Sequence, residues 1–106
     1  MNDRIAAIKK MIGKTPSDVF LHYSLAKEYQ SAGDHEKAVE EFAACRNIDD
    51  QYLPAYVEAG KCLRSAGRLD DALEMFAAGM ELAALLGLTH ERDYIQQQLD
   101  GLPRPK

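Results

Sequence analysis

Three histidines, two cysteines and two Asp-Asp pairs are the side chains of this chain best suited to hold a metal or move a proton. Their spacing serves neither purpose. His22, His35 and His90 are scattered, and none has a second His or Cys at the separations used by tetrahedral metal sites. His22 reads as a partly buried residue on a helix face, and His35 and His90 as solvated first-turn residues. Cys45 and Cys62 each fall inside an apolar helical pattern. Buried, reduced thiols are expected there, with a disulfide or redox pair as the alternative. Asp49-Asp50 reads as exposed acids on a connection, and Asp70-Asp71 as exposed acids in the first turn of a helix. No phosphate-cradling glycine loop, dinucleotide fingerprint, nucleophile elbow or HExxH helix occurs. The expectation is a protein that is not an enzyme and that needs no cofactor and no metal.

The elements carrying these residues are written twice. Lys27, Ser31, Ala32, Gly33, Ala38, Glu40, Phe42, Ala43 and Ala44 recur 34 residues later as Lys61, Ser65, Ala66, Gly67, Ala72, Glu74, Phe76, Ala77 and Ala78. A fixed period of this length marks a supersecondary unit that cannot bury its apolar face alone and stacks on a copy of itself. Apolar residues recur at three and four throughout, with no sustained alternation, so the expected class is all-α.

Six helices are predicted. The first covers about 2–13, with Ile5, Ile8, Met11 and Ile12 on one face. Pro16 disfavours helix in the residue before it, and Ser17 or Asp18 is placed to cap the next helix, about 19–32. Gly33 ends that helix and Asp34 caps the third, 35–48, with Ala38, Phe42 and Cys45 inward. Pro54 suits the first turn of the fourth, and Gly67 ends it. The fifth begins near Leu69, bears Ala72, Phe76, Gly79 and Leu82, and extends toward Gly87. Thr89 is placed to cap a sixth, 89–101, with Tyr94, Ile95 and Leu99 inward and Arg92, Asp93, Gln96 and Gln97 outward. Residues 103–106 read as a frayed tail.

Size and charge bound the rest. The chain has 106 residues and a formal net charge of −4, with a pI of about 5.3 and a mean hydropathy of −0.37. One domain over 1–102 is expected. The acidic balance and the lack of a basic stripe argue against nucleic acid as a partner. No apolar run is long enough to span a membrane, and Lys9 and Lys10 interrupt the apolar residues of the first helix. No membrane partner is expected, and the cytoplasm is the expected compartment.

The residues at these positions carry a family resemblance. Leu25-Ala26, Tyr29, Gly33-Asp34, Ala38 and Phe42 in one unit, and Tyr56, Gly60, Gly67, Ala72 and Phe76 in the next, resemble the signature of the tetratricopeptide repeat (TPR), over about 4–86. The chain departs from that pattern at His22, where an aromatic is usual. It also departs at Arg68, in place of the Asp that Asp34 supplies, and at Asp50 and Ala84, in place of repeat-end prolines. Pentatricopeptide and Sel1-like repeats have longer periods, and a plain helical bundle is the remaining alternative. The resemblance implies a right-handed α-solenoid of antiparallel helix pairs. It would comprise a half repeat at 2–13, repeats at 19–52 and 53–86, and a capping helix at 89–101.

The resemblance also implies work: holding other proteins. The first helix of each pair would line a concave groove, presenting Phe20, Tyr23, Ser24, Lys27 and Gln30 from one pair and Val57, Glu58, Lys61 and Arg64 from the next. Glu36, Glu40, Glu41, Asp70, Asp71, Glu74 and Glu81 would fall on the outward helices. The expected partner is a protein or an extended peptide, with acidic segments favoured by Lys27, Lys61 and Arg64. The family's carboxylate clamp for chaperone tails maps to Tyr23, Lys27, Glu58, Leu88 and Arg92. Glu58 in place of an amide would repel a carboxylate there, so chaperone-tail binding is not expected. The alternative function is a structural, self-associating subunit, with the oligomeric state open between monomer and weak homodimer.

Overall fold

The computed structural model describes residues 3–103. Met1, Asn2 and residues 104–106 lie outside it, and with them the predicted start of the first helix and most of the predicted tail. Among the described residues the chain forms six helices and no strand: α1 (Asp3–Lys14), α2 (Val19–Ser31), α3 (His35–Ile48), α4 (Leu53–Ser65), α5 (Leu69–Leu86) and α6 (Thr89–Asp100). Each packs against the next in sequence, giving an elongated body of 42 × 30 × 19 Å.

Local chemistry sets the boundaries. The Asp18 carboxylate accepts from the backbone N–H of Phe20 at 2.9 Å and of Leu21 at 3.4 Å, starting α2. Asp34 accepts from the N–H of Lys37 at 3.3 Å and starts α3. Gly33 and Gly67 end α2 and α4 with φ of +80° and +78°. In both, the glycine N–H donates to a carbonyl three residues back and the next N–H to one five back: Gly33 to Gln30, Asp34 to Tyr29, Gly67 to Arg64, Arg68 to Leu63. This is the left-handed helix stop that a Cβ would strain. Arg68 gives α5 no side-chain cap. Its guanidinium bonds Asp71 at 3.0 Å and reaches back to Glu36 in the preceding repeat at 3.0 Å.

Thr89 does not cap α6. It is the first helical residue, Leu88 precedes it, and no side chain caps that end. The helix stops at Asp100, with Gly101 as its C-cap. Leu102 then turns back into the core, 8% exposed.

Two apolar clusters fill the interior. Leu25, Ala26, Tyr29, Ala38, Phe42, Cys45, Ala55, Ala59 and Cys62 form the first. Leu53, Leu63, Ala72, Phe76, Ala83, Ile95 and Leu102 form the second, with Val39 and Met75 packed on both. Ala26, Ala38, Phe42, Ala72 and Phe76 are all 0% exposed. The small residues lie where helices meet closely: a Cβ added at Gly60 would stand 2.5 Å from the Phe76 ring. Both cysteines are free and buried, and burial pushes the Cys45 thiol up to about 11. They are packed, protonated thiols.

His22, where the family pattern has an aromatic, ties three elements together. Its Nδ1 lies 2.8 Å from Glu41 Oε1 on α3 and its Nε2 lies 2.8 Å from the Pro16 carbonyl in the α1–α2 connection. Both partners are acceptors, so only the doubly protonated imidazolium satisfies both at once. Burial alone would lower its pKa, but the Glu41 and Pro16 bonds outweigh that, and the net shift is upward from 6.5. A raised folded-state pKa adds stability that is fully present below the unfolded value and is lost as pH rises through the folded value. Thermal melts should therefore show a stability loss of up to about 1 kcal/mol above neutral pH. His22→Phe should lack that slope; a slope unchanged in the variant would assign it to other groups.

Candidate functional site: the face shared by α2, α4 and α6

Successive turns of α2 and α4 carry Lys27, Gln30, Glu58 and Lys61 to one point. Glu58 Oε1 accepts from Lys27 Nζ at 2.8 Å and from Gln30 Nε2 at 3.3 Å, while its Oε2 accepts from Lys61 Nζ at 3.4 Å. The Glu58 side chain is 13% exposed. Burial works to raise its pKa, but the Lys27 hydrogen bond and the charges of Lys27 and Lys61 prevail, so the carboxyl sits below its ordinary range. Glu58 is thus an ionised brace between repeats. The two lysines remain partly exposed, at 43% and 30% of their side chains.

A turn further along α4, Arg64 Nη1 donates to Gln98 Oε1 on α6 at 2.7 Å. Lys61 Nζ lies 5.2 Å from the centre of the Tyr94 ring. With Arg4, Glu28 and Glu91, which line the two flanking grooves, this face carries four cations and three carboxylates, one positive charge in excess, on a chain whose net charge is −4. At physiological salt fields fall off within about 8 Å, so a nearby ligand meets the patch rather than the whole chain.

Two apolar grooves flank the patch. One, of about 520 Å³, opens between α4 and α6 and is lined by Leu53, Pro54, Val57, Leu88 and Tyr94 with Glu58, His90 and Glu91. The other, of about 370 Å³, opens between α1 and α2 beside Ile8, Met11, Tyr23, Ser24 and Lys27. Tyr23 joins an aromatic chain, 5.7 Å from Phe42 and 5.5 Å from Tyr52. Phe20 stands apart from the patch. It is 67% exposed and packs edge-on against Tyr52 at 6.0 Å.

Of the residues expected in the groove, Lys27, Gln30, Glu58 and Lys61 meet directly, Val57 and Arg64 extend the same α4 stripe, and Tyr23 and Ser24 line the second groove. Tyr94, expected inward, is 40% exposed and forms part of this face instead. Gln98 and Leu88 join it too. Tyr94 and Gln98 lie on α6 and Leu88 just before it, so the signal for all three was displaced. α5 has 18 residues where α3 has 14, so α6 falls out of the 34-residue register. Among the described residues, no group of three or more His, Cys, Asp or Glu is placed to hold a metal. No described helix is long and apolar enough to cross a membrane.

A stack of two helical hairpins with matched glycine stops and small-residue contacts, and one face built from the first helix of each pair, defines a TPR solenoid. The known proteins agree. A TPR repeat-containing protein of Pseudomonas aeruginosa is 32% identical over 83 residues, covering 78% of this chain and 79% of that one. The solution structure of a tetratricopeptide repeat domain protein from Salinibacter ruber superposes with a TM-score of 0.77 at 28% identity, covering 86% of this chain and 95% of the other. PcrH, solved in complex with the chaperone binding region of PopD, shares the fold with a TM-score of 0.85 at 20% identity, over 92% of this chain and 74% of PcrH. No family model matches the chain. It belongs to the tetratricopeptide repeat family.

Proposed function

We propose that this chain is a non-catalytic protein-interaction module that holds an extended segment of a partner on the face of α2, α4 and α6, with a preference for acidic segments. The observation that carries the reading is the pairing of excess positive charge at Lys27, Lys61 and Arg64 with apolar grooves on either side. Cations orient and attract an anionic segment, and apolar contact supplies affinity. PcrH, with the same fold, holds a region of PopD, an instance of such a body gripping another protein. Glu58 stands at the clamp position that would need an amide to hold a carboxylate, and it is braced. Two lysines already satisfy this carboxylate, so its charge repels a ligand less than a lone acid would.

The test uses two pools of ten-residue peptides of equal apolar content, one rich in Asp and Glu, the other in Lys and Arg. The acidic pool should bind, more weakly in high salt, and Lys27→Gln/Lys61→Gln should weaken it about tenfold. Equal affinity for both pools, or none for either, would refute the reading.

A second reading, self-association, draws on α5, where Leu73 is 49% and Leu85 77% exposed. Exposed apolar area on one helix is a route to pairing of copies. Sedimentation equilibrium decides it: a mass that rises with concentration, and that falls to the monomer in Leu73→Glu, supports pairing, and a constant monomer mass excludes it.

A further inference from the structure

The stack of hairpins has two chemically different ends. Its first helix, α1, carries four cations, Arg4, Lys9, Lys10 and Lys14, against one carboxylate, Asp3. Its last two, α5 and α6, carry seven carboxylates against one arginine, Arg92. Each end also shows a face that the equivalent repeat position covers elsewhere. Val39 and Met75 are half-buried at the seam between repeats, packed on both apolar clusters. One period after Val39 stands Leu73, which is exposed. Two periods before Met75 stands Ala7, exposed on α1. Cys45 is 0% exposed on α3, whereas Met11, one period before it, is 49% exposed on α1. Glu36 reaches across the seam to Arg68 at 3.0 Å, and one period on it recurs as the exposed Asp70.

We propose that copies of this chain join head to tail, with the α1 end of one docked on the α5–α6 end of another. The joint repeats the seam inside the molecule. Leu73 of one copy takes the place of Val39, and Ala7 of the next takes that of Met75, so a larger side chain meets a smaller one. Helix α6 then lies along the α1–α2 groove of the next copy, beside Ile8 and Met11. The charged residues of that groove are Arg4, Lys27 and Glu28, with Arg4 and Glu28 3.8 Å apart. Charge selects the arrangement. An α1 end against an α5–α6 end sets cations on carboxylates, whereas α1 on α1 sets four cations on four, and α5 on α5 four carboxylates on four. A two-fold pair through either helix is therefore opposed, and unlike ends are favoured. A contact between different patches of two copies does not close on itself, so it extends into a chain of molecules. The outward side chains of α6 are polar, so charge and Leu73 hold the joint, and salt weakens it.

This rests on the second reading, self-association, and the experiment separates the two claims. Sedimentation equilibrium of the parent chain comes first. Its mass should grow past the dimer as concentration rises, and the association constant should fall about tenfold between roughly 0.05 M and 0.5 M salt. A parent that stops at the dimer would overturn the head-to-tail joint and leave self-association standing. A parent that stays monomeric at millimolar concentration would overturn both. Two variants then locate the joint. Ala7→Glu blocks only the α1 end and Leu73→Glu only the α5 end, both at exposed positions. Each alone should be monomeric. An equal mixture should form a dimer and nothing larger, because each molecule keeps one intact end. Ala7→Glu protein that associates like the parent, or a mixture that stays monomeric, would overturn the proposal. The parent series needs no variant, so it decides the question even where a substituted chain folds poorly.

Discussion

Phe76→Ala should lose about 3–5 kcal/mol of stability, and Phe42→Ala a similar amount. Both rings are 0% exposed. Each is the largest fully buried side chain of its own cluster. Truncation removes the transfer energy of the ring and leaves a cavity that two helices cannot close without separating. Denaturant or thermal unfolding reads the effect directly, as a midpoint lower by roughly 10 °C or more. The two losses should nearly add where the clusters are independent. They should fall short of additivity to the extent that Val39 and Met75, which touch both, relay the damage. If either variant melts like the parent, the repeat register drawn here is wrong.

The second large effect concerns Gly60, and its sign is unusual. An interior helical Gly→Ala change normally gains about 1 kcal/mol from helix propensity. Here a Cβ at Gly60 would lie 2.5, 2.7 and 2.8 Å from three atoms of the Phe76 ring. That ring is fully buried. Overpacking of this kind costs about 1–3 kcal/mol, so Gly60→Ala should destabilise by up to about 2 kcal/mol net. In the Phe76→Ala background the obstacle is gone, and the same substitution should stabilise by up to about 1 kcal/mol. The double-mutant cycle should therefore return a coupling of about 2 kcal/mol, large for a pair that shares no polar contact. Two independent losses that simply add would show that α4 and α5 are not wedged together at this point.

Much of this architecture was readable from residue types alone, and the reason is the period. Ala26, Ala38, Ala72 and Gly60 are small because another helix lies against them, and Phe42 and Phe76 fill the space beyond. That pattern is repeated 34 residues on, so each copy corroborates the other. Gly33 and Gly67 mark the ends of α2 and α4 for a separate physical reason, a positive φ. The limits lie where periodicity stops. The longer α5 shifts α6 out of register, and that concealed the exposure of Tyr94 and the absence of a side-chain cap at Thr89.

The proposed partner face was legible as a set of residues but not as a circuit. Glu58 was visible as an acid among cations. That it bonds Lys27, Gln30 and Lys61 together depends on the reach of long side chains between repeats, which spacing along one helix does not encode. The same holds for Arg64 and Gln98, whose helices meet only after α5 has turned the chain back. His22 illustrates the converse. Its departure from the aromatic expected at that position is explained by two acceptors, Glu41 and Pro16, that come from different elements.

The most direct test of the central claim is a titration of isotope-labelled protein with a ten-residue acidic peptide, followed by backbone amide shifts. The perturbed amides should cluster on α4 and α6, at Val57, Lys61, Arg64 and Tyr94, with smaller changes near Lys27. Perturbations confined to α3 and α5, on the acidic outward side, would contradict it.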